Sequence, residues 1–178
     1  TRDLYETGLR YNPVRELPGL PYVCLRIPTG GGKTLVASHA VGIAAHSLLH
    51  TETAMVLWLV PSTTILEQTL MALRNPNHPY NRALRSSLGN VAVYSVSEAF
   101  YLSPAVVRAE TIIIVSTIQA FRVEDTEGRK VYETAGQLKP LFANLPPEAL
   151  KDVERDDNGG VIPSLANVFR MHKPIVIV

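Results

Sequence analysis

Three consecutive glycines followed at once by a lysine and a threonine constrain this chain more than any other stretch. The run reads Pro28-Thr29-Gly30-Gly31-Gly32-Lys33-Thr34. Residues 22–27, just before it, are a short run apolar but for Arg26 and end at a proline, the pattern of a buried strand entering a turn. From Lys33 to about residue 50 the chain reads as a helix dominated by Leu35, Val36, Ala40, Ile43, Ala44 and Leu48. Glycine puts no side chain in the way and reaches backbone angles closed to other residues. A glycine turn that opens a helix converges successive amide N–H groups on one point with the helix dipole behind them, which suits a phosphate. In such a cradle, formed by Pro28, Thr29, Gly30, Gly31, Gly32, Lys33 and Thr34, the lysine would reach the β- and γ-phosphates of ATP. The Thr34 hydroxyl would coordinate Mg²⁺. The plain alternative is a flexible strand-to-helix loop, and the predicted strand and helix on either side argue against it.

The rest of the chain alternates in the same way. Residues 54–60 form a second apolar run stopped by Pro61, with Ser62 or Thr63 placed to cap a helix over residues 64–73. Residues 75–79, Asn-Pro-Asn-His-Pro, read as a loop, and residues 91–96 as a strand. Residues 111–116 contain Ile112-Ile113-Ile114-Val115, a strand that must be covered on both faces. Residues 123–136 carry no clear periodicity, and residues 146–160, crowded with acidic side chains, read as a linker or surface loop. Ser164 can cap a short helix to Met171, and residues 175–178 are another buried-strand signature. Strands separated by helices imply βαβ units, hence an α/β fold: a three-layer sandwich with a mostly parallel sheet and its ligand at the carboxyl ends of the strands. Residues 1–20, polar and broken by Pro13 and Pro18, read as a lead-in segment, and residues 21–178 as one nucleotide-binding domain, which the resemblance given next implies is an ATP-binding domain ending before its acidic box.

The strict phosphate-loop pattern has a glycine five positions before Gly32, where this chain has Ile27. That departure resembles motif I of superfamily 2 helicases, whose loop reads Ala/Pro-Thr-Gly-x-Gly-Lys-Thr. Leu57-Trp58-Leu59-Val60-Pro61-Ser62 with Leu66 and Gln68 is similar to motif Ia. Ile114-Val115-Ser116-Thr117-Ile118-Gln119 resembles a later strand-end motif, and residues 163–178 look like the approach to the acidic box. Within the superfamily the combination is most similar to the helicase subunit of type III restriction enzymes. The resemblance implies a RecA-like first motor domain that binds ATP and Mg²⁺. It further implies that Pro61, Ser62, Thr63, Ser116, Thr117 and Gln119 touch the phosphates of a tracked nucleic acid, DNA in preference to RNA. The implied partners are a second RecA-like domain and, in the longer protein, a nuclease domain or methyltransferase subunit. The Asp-Glu-x-His expected next would lie beyond Val178, so the chain alone is expected to hydrolyse ATP very slowly. Two other readings stay open: another phosphate-loop enzyme such as a kinase or transport ATPase, and a non-hydrolysing nucleotide-sensing module.

Composition narrows the classes. Apolar residues make up 46% and charged residues 19%, ordinary for a globular domain, and a formal net charge of +1 announces no basic field. One cysteine, Cys24, excludes an internal disulfide, fits a reducing cytoplasmic compartment, and by its apolar neighbours reads as a buried structural thiol. No stretch has the length and apolarity of a membrane-spanning helix. His39, His46 and His50 share one helical stripe without carboxylate or thiol companions and read as a solvated face. Trp58 reads as core, Tyr80, Arg82 and Arg85 as ordinary surface, and Asp156-Asp157 as a surface turn. Tyr11 beside Arg10 could stack on adenine.

Overall fold

The computed structural model describes residues 14–16, 19–121 and 130–178. The chain groups into two units, Thr1–Lys33 and Thr34–Val178.

In the first unit, residues 22–27 do not form the strand predicted for them. Val23 is 73% exposed, Tyr22 and Leu25 are exposed as well, and so is Cys24, which is therefore not a buried thiol. A strand exists only as part of a hydrogen-bonded ladder, and this segment makes none. Pro21 and Pro28 bracket it with positions that have no N–H to give.

The second unit is built on four parallel strands: β1 (Met55–Val60), β2 (Val91–Ser95), β3 (Thr111–Thr117) and β4 (Ile175–Ile177), in the order β2-β3-β1-β4. β3 is buried along nearly its whole length, as its unbroken β-branched run requires. Its side chains alternate between two cores with the period of a pleated strand. Ile112 and Ile114 join Met55, Leu57, Ala99, Leu138, Val168 and Phe169 on one face. Ile113 and Val115 join Val56, Trp58, Val41, Leu73, Leu84 and Leu88 on the other. Each such aliphatic side chain contributes about 1.5–3 kcal/mol by leaving water. Helices α1 (Lys33–Ala44, in its part beyond Lys33), α2 (Thr63–Arg74) and α3 (Pro79–Leu88) supply the second core, and α4 (Val96–Ala99) and α6 (Leu165–His172) the first. A short α5 (Pro104–Ala109) leads into β3. The three-layer α/β sandwich with a parallel sheet is thus the architecture found.

Most element boundaries fall within two residues of expectation, because caps fix them. Ser62 caps α2 by accepting from the Ile65 N–H at 3.4 Å. Ser164 caps α6 through the Asn167 N–H at 3.2 Å. Four readings change. Pro79 does not close a loop; it opens α3, where its missing N–H is harmless, and His78 Nδ1 accepts from the Tyr80 N–H. Val96 leaves the strand to begin α4, because Ser95 and Glu98 form a reciprocal capping box. β4 is not buried: it pairs with β1 and leaves Val176 half-exposed. Residues 146–160 are the surface loop and not the linker: mostly exposed, they hold a 3-10 turn, Pro147–Leu150, and the buried Asn167 side chain ties Glu154 and Ile162 to α6.

α1 and α3 approach closely at one point. A Cβ on Gly42 would lie 2.6 Å from the Ser87 Cβ. Beside that contact, His46 Nε2 bonds to the Ser87 carbonyl at 2.7 Å, so His46 is half-buried in a helix–helix tie while His39 and His50 remain exposed.

Candidate functional site

Each glycine of the Gly30-Gly31-Gly32 loop is required for its own reason. Gly30 and Gly32 adopt φ of 79° and 77°, the left-handed region that costs other residues about 1–2 kcal/mol. Gly31 has an ordinary φ, but a Cβ there would sit 2.6 Å from Ile27 Cγ2 and 3.0 Å from the Pro28 carbonyl oxygen. Its N–H closes the turn onto that same oxygen at 3.0 Å. The Lys33 ammonium folds back along the loop and donates to the carbonyls of Pro28 (3.1 Å) and Ile27 (3.3 Å). Around Gly30 and Gly32 an added Cβ meets nothing within 4 Å, so the loop backbone stands open to an approaching anion. Thr34 begins the second unit inside α1, and its carbonyl accepts from the Ser38 hydroxyl at 2.9 Å. Among the described residues no cluster of three or more His, Cys, Asp or Glu side chains could hold a metal ion.

A second set of residues lies at the carboxyl ends of β1 and β3. These strands run parallel with Leu59 opposite Ser116 and Val60 opposite Thr117. The residues that follow each strand are therefore neighbours, although they are far apart in sequence. Gln119 Nε2 donates to the Pro61 carbonyl at 3.1 Å and joins the two strand ends. Pro61, Ser62, Thr63 and Gln119 are exposed, and Thr117 is half-buried. Ser116 is buried, its hydroxyl donating to the Thr117 carbonyl at 3.2 Å, so it holds the rim from inside. The rim thus combines exposed hydroxyls, one primary amide and the N-terminal N–H groups of α2, all groups that hydrogen-bond phosphate oxygens.

One network was not recognised from sequence. Arg74, at the end of α2, ion-pairs with Glu98 and donates through Nε to the Val93 carbonyl at 3.1 Å. Burial works to raise the Glu98 pKa, but the Ser95 N–H and hydroxyl and the Arg74 guanidinium outweigh it and hold the carboxyl below its ordinary value. Tyr94 is pushed up by burial and by the nearby Glu110 and Glu98 carboxylates. The available signal was the Ser95-x-x-Glu98 spacing, a capping-box pattern. On α6, burial lowers the His172 pKa.

Trp58 is core and Asp156 organises a surface turn through the N–H groups of Asn158 and Gly160, as the sequence implied. Arg82 and Arg85 are exposed, while Tyr80 packs against the second core. Arg10 and Tyr11 lie outside the described residues.

A family model described as type III restriction enzyme, res subunit, matches residues 18–143. That span takes in the glycine loop, the capped end of β1 and the end of β3. No curated protein and no solved structure matches the chain.

Proposed function

The chain belongs to the type III restriction enzyme res subunit family, and from that premise we propose that residues 21–178 are the ATP-binding first motor domain of a DNA helicase or translocase of the type III restriction kind. Membership establishes the coarser statement, an ATP-dependent motor domain of the helicase class. The assignment of the ATP site within it rests chiefly on the glycine loop, in which two glycines are required by φ and the third by space.

In this reading, Pro28 to Thr34 wrap the phosphates of ATP. Lys33 exchanges its two carbonyl partners for phosphate oxygens, a trade of neutral acceptors for charged ones that favours the bound form. The Thr34 hydroxyl joins Mg²⁺, which when bound neutralises phosphate charge. Pro61, Ser62, Thr63, Thr117 and Gln119 hold the backbone of the tracked strand, with Ser116 beneath them. Because Gln119 bridges the ends of β1 and β3, a shift of either strand end moves the groups that hold nucleic acid. The partners in this reading are DNA, a second RecA-like domain, and a nuclease domain or methyltransferase subunit, in the cytoplasm. No helix among the described residues is long and apolar enough to cross a membrane.

The test is ATP hydrolysis by a protein carrying this chain together with its second motor domain, measured without nucleic acid and with single- and double-stranded DNA and RNA. Stimulation by DNA, lost in Lys33→Ala, supports the motor reading. Hydrolysis or phosphoryl transfer indifferent to nucleic acid favours a kinase or transport ATPase. Nucleotide binding without hydrolysis favours a sensing module.

A further inference from the structure

Beyond the carboxyl end of β2 lies a groove of about 410 Å³ to which the phosphate loop and the rim contribute nothing. Ser97, Phe100 and Tyr101 form one wall, on and just after α4, and Glu133, Gly136 and Gln137 lie on the other. Since α4 begins directly after β2 and all strands are parallel, the groove opens at the same end of the sheet as Ser62 and Gln119. Its volume falls in the ~300–1,000 Å³ range of small-molecule sites.

The walls are fixed and their upper side chains are free. α4 is held by the Ser95–Glu98 capping box and by Arg74, while Ala99 and Leu102 are buried beneath it. The opposite wall is held by the Ala135 N–H on the Pro163 carbonyl at 2.7 Å and by buried Leu138. Tyr101 nevertheless leaves 75% of its surface in water, an unusual position for a large aromatic ring on an anchored element.

The lining chemistry selects among ligands. Among the described residues no lysine or arginine lines the groove, and Glu133 does, so its known lining disfavours a phosphate. A nucleobase suits it: the Tyr101 ring offers a stacking face, and Ser97 and Gln137 offer both donors and acceptors. Glu133 as a carboxylate only accepts, so it rewards a base with an exocyclic amino group and gives thymine or uracil no such bond. We propose that this groove takes up one unpaired base of the strand held at the rim, stacked on Tyr101 and selected by Glu133 for an amino-bearing edge. The proposal rests on the reading of the rim as a nucleic-acid track.

The experiment measures fluorescence anisotropy of labelled single strands of equal length: oligo-dC, oligo-dT and an abasic phosphodiester backbone. They are titrated with the parent chain and with Tyr101→Ala, Glu133→Gln, Gly136→Val and Gln119→Ala, each checked for fold by circular dichroism. A Cβ at Gly136 meets nothing within 4 Å, so valine there fills the groove without disturbing the fold. The parent should bind oligo-dC about tenfold more tightly than oligo-dT, and Tyr101→Ala should weaken oligo-dC about tenfold while leaving the abasic strand unchanged. Gly136→Val should do the same, and Glu133→Gln should bring dC and dT to within about twofold. Gln119→Ala should weaken all strands alike, because it acts on the backbone. If the parent binds the abasic strand but Tyr101→Ala leaves oligo-dC unchanged, the groove proposal is overturned and the rim reading stands. If the parent binds none of the strands, both are overturned.

Discussion

Gly42→Ala sets a helix's intrinsic preference against its packing, and the structure decides which wins. Taken alone, alanine in a helix interior is favoured over glycine by about 0.8–1 kcal/mol. At this position, however, the new methyl would meet the Ser87 hydroxyl and lie 2.6 Å from the Ser87 Cβ. The hydroxyl can rotate away, but the Cβ is fixed to the α3 backbone, so α1 and α3 must separate. Overpacking of this kind costs about 1–3 kcal/mol. Separation also stretches the His46–Ser87 hydrogen bond, worth about 0.5–1.5 kcal/mol. The balance is a net loss of about 2 kcal/mol, or roughly 4–8 °C in Tm for a chain of this size. Thermal unfolding followed by circular dichroism measures it. Ser87→Gly removes both clashing atoms, so the double variant Gly42→Ala/Ser87→Gly should recover most of the loss, a coupling that a simple propensity effect does not produce. An unchanged or higher Tm for Gly42→Ala alone would refute the close α1–α3 contact.

Other perturbations separate the core from the rim. Ile114→Ala, at a fully buried site in the middle of β3, should cost about 2–5 kcal/mol in chemical denaturation. Gln119→Ala removes the bridge to Pro61 on an exposed side chain, so stability should change by less than about 0.5 kcal/mol while affinity for a DNA backbone falls several-fold. The folded-state pKa of Glu98 is depressed, so its contribution is present above the ordinary carboxylate pKa and lost as pH falls through the depressed value. Glu98→Gln should therefore flatten the acid limb of a Tm-versus-pH curve. His172 is also depressed, by burial, so protonation opposes folding and Tm should begin to fall as pH drops below about 6.5. His172→Gln should remove that first decline.

The sheet could be read from sequence because its determinants are local. The unbroken β-branched run 111–116 permits little but a strand buried on both faces, and Ser62 and Ser164 stop and start elements wherever tertiary contacts leave them. Residues 22–27 look equally strand-like, yet apolar composition alone cannot supply a ladder partner, and they stand exposed. α3 escaped notice because Asn75, Pro76 and Pro79 suggest a loop, while the same Pro79 is a good first helical residue once His78 caps it. The glycine turn opening α1 was legible, but the separate reasons for its glycines were not: nothing in Gly-Gly-Gly distinguishes the residue barred by Ile27 and Pro28 from the two with positive φ. The rim was legible only through family resemblance. The 58-residue separation of Gln119 from Pro61 is closed by the β1–β3 register, which no local pattern encodes.

The central claim is that the glycine loop holds the phosphates of ATP through Lys33. Isothermal titration of MgATP into the chain and into its Lys33→Ala variant tests it most directly, since Lys33 is exposed and its removal leaves both cores intact. The expected result is saturable binding by the parent that weakens at least about tenfold in the variant, the loss of one charge-assisted contact. Equal affinity in the two proteins would contradict the claim and leave the loop a turn that opens α1 with no phosphate to hold.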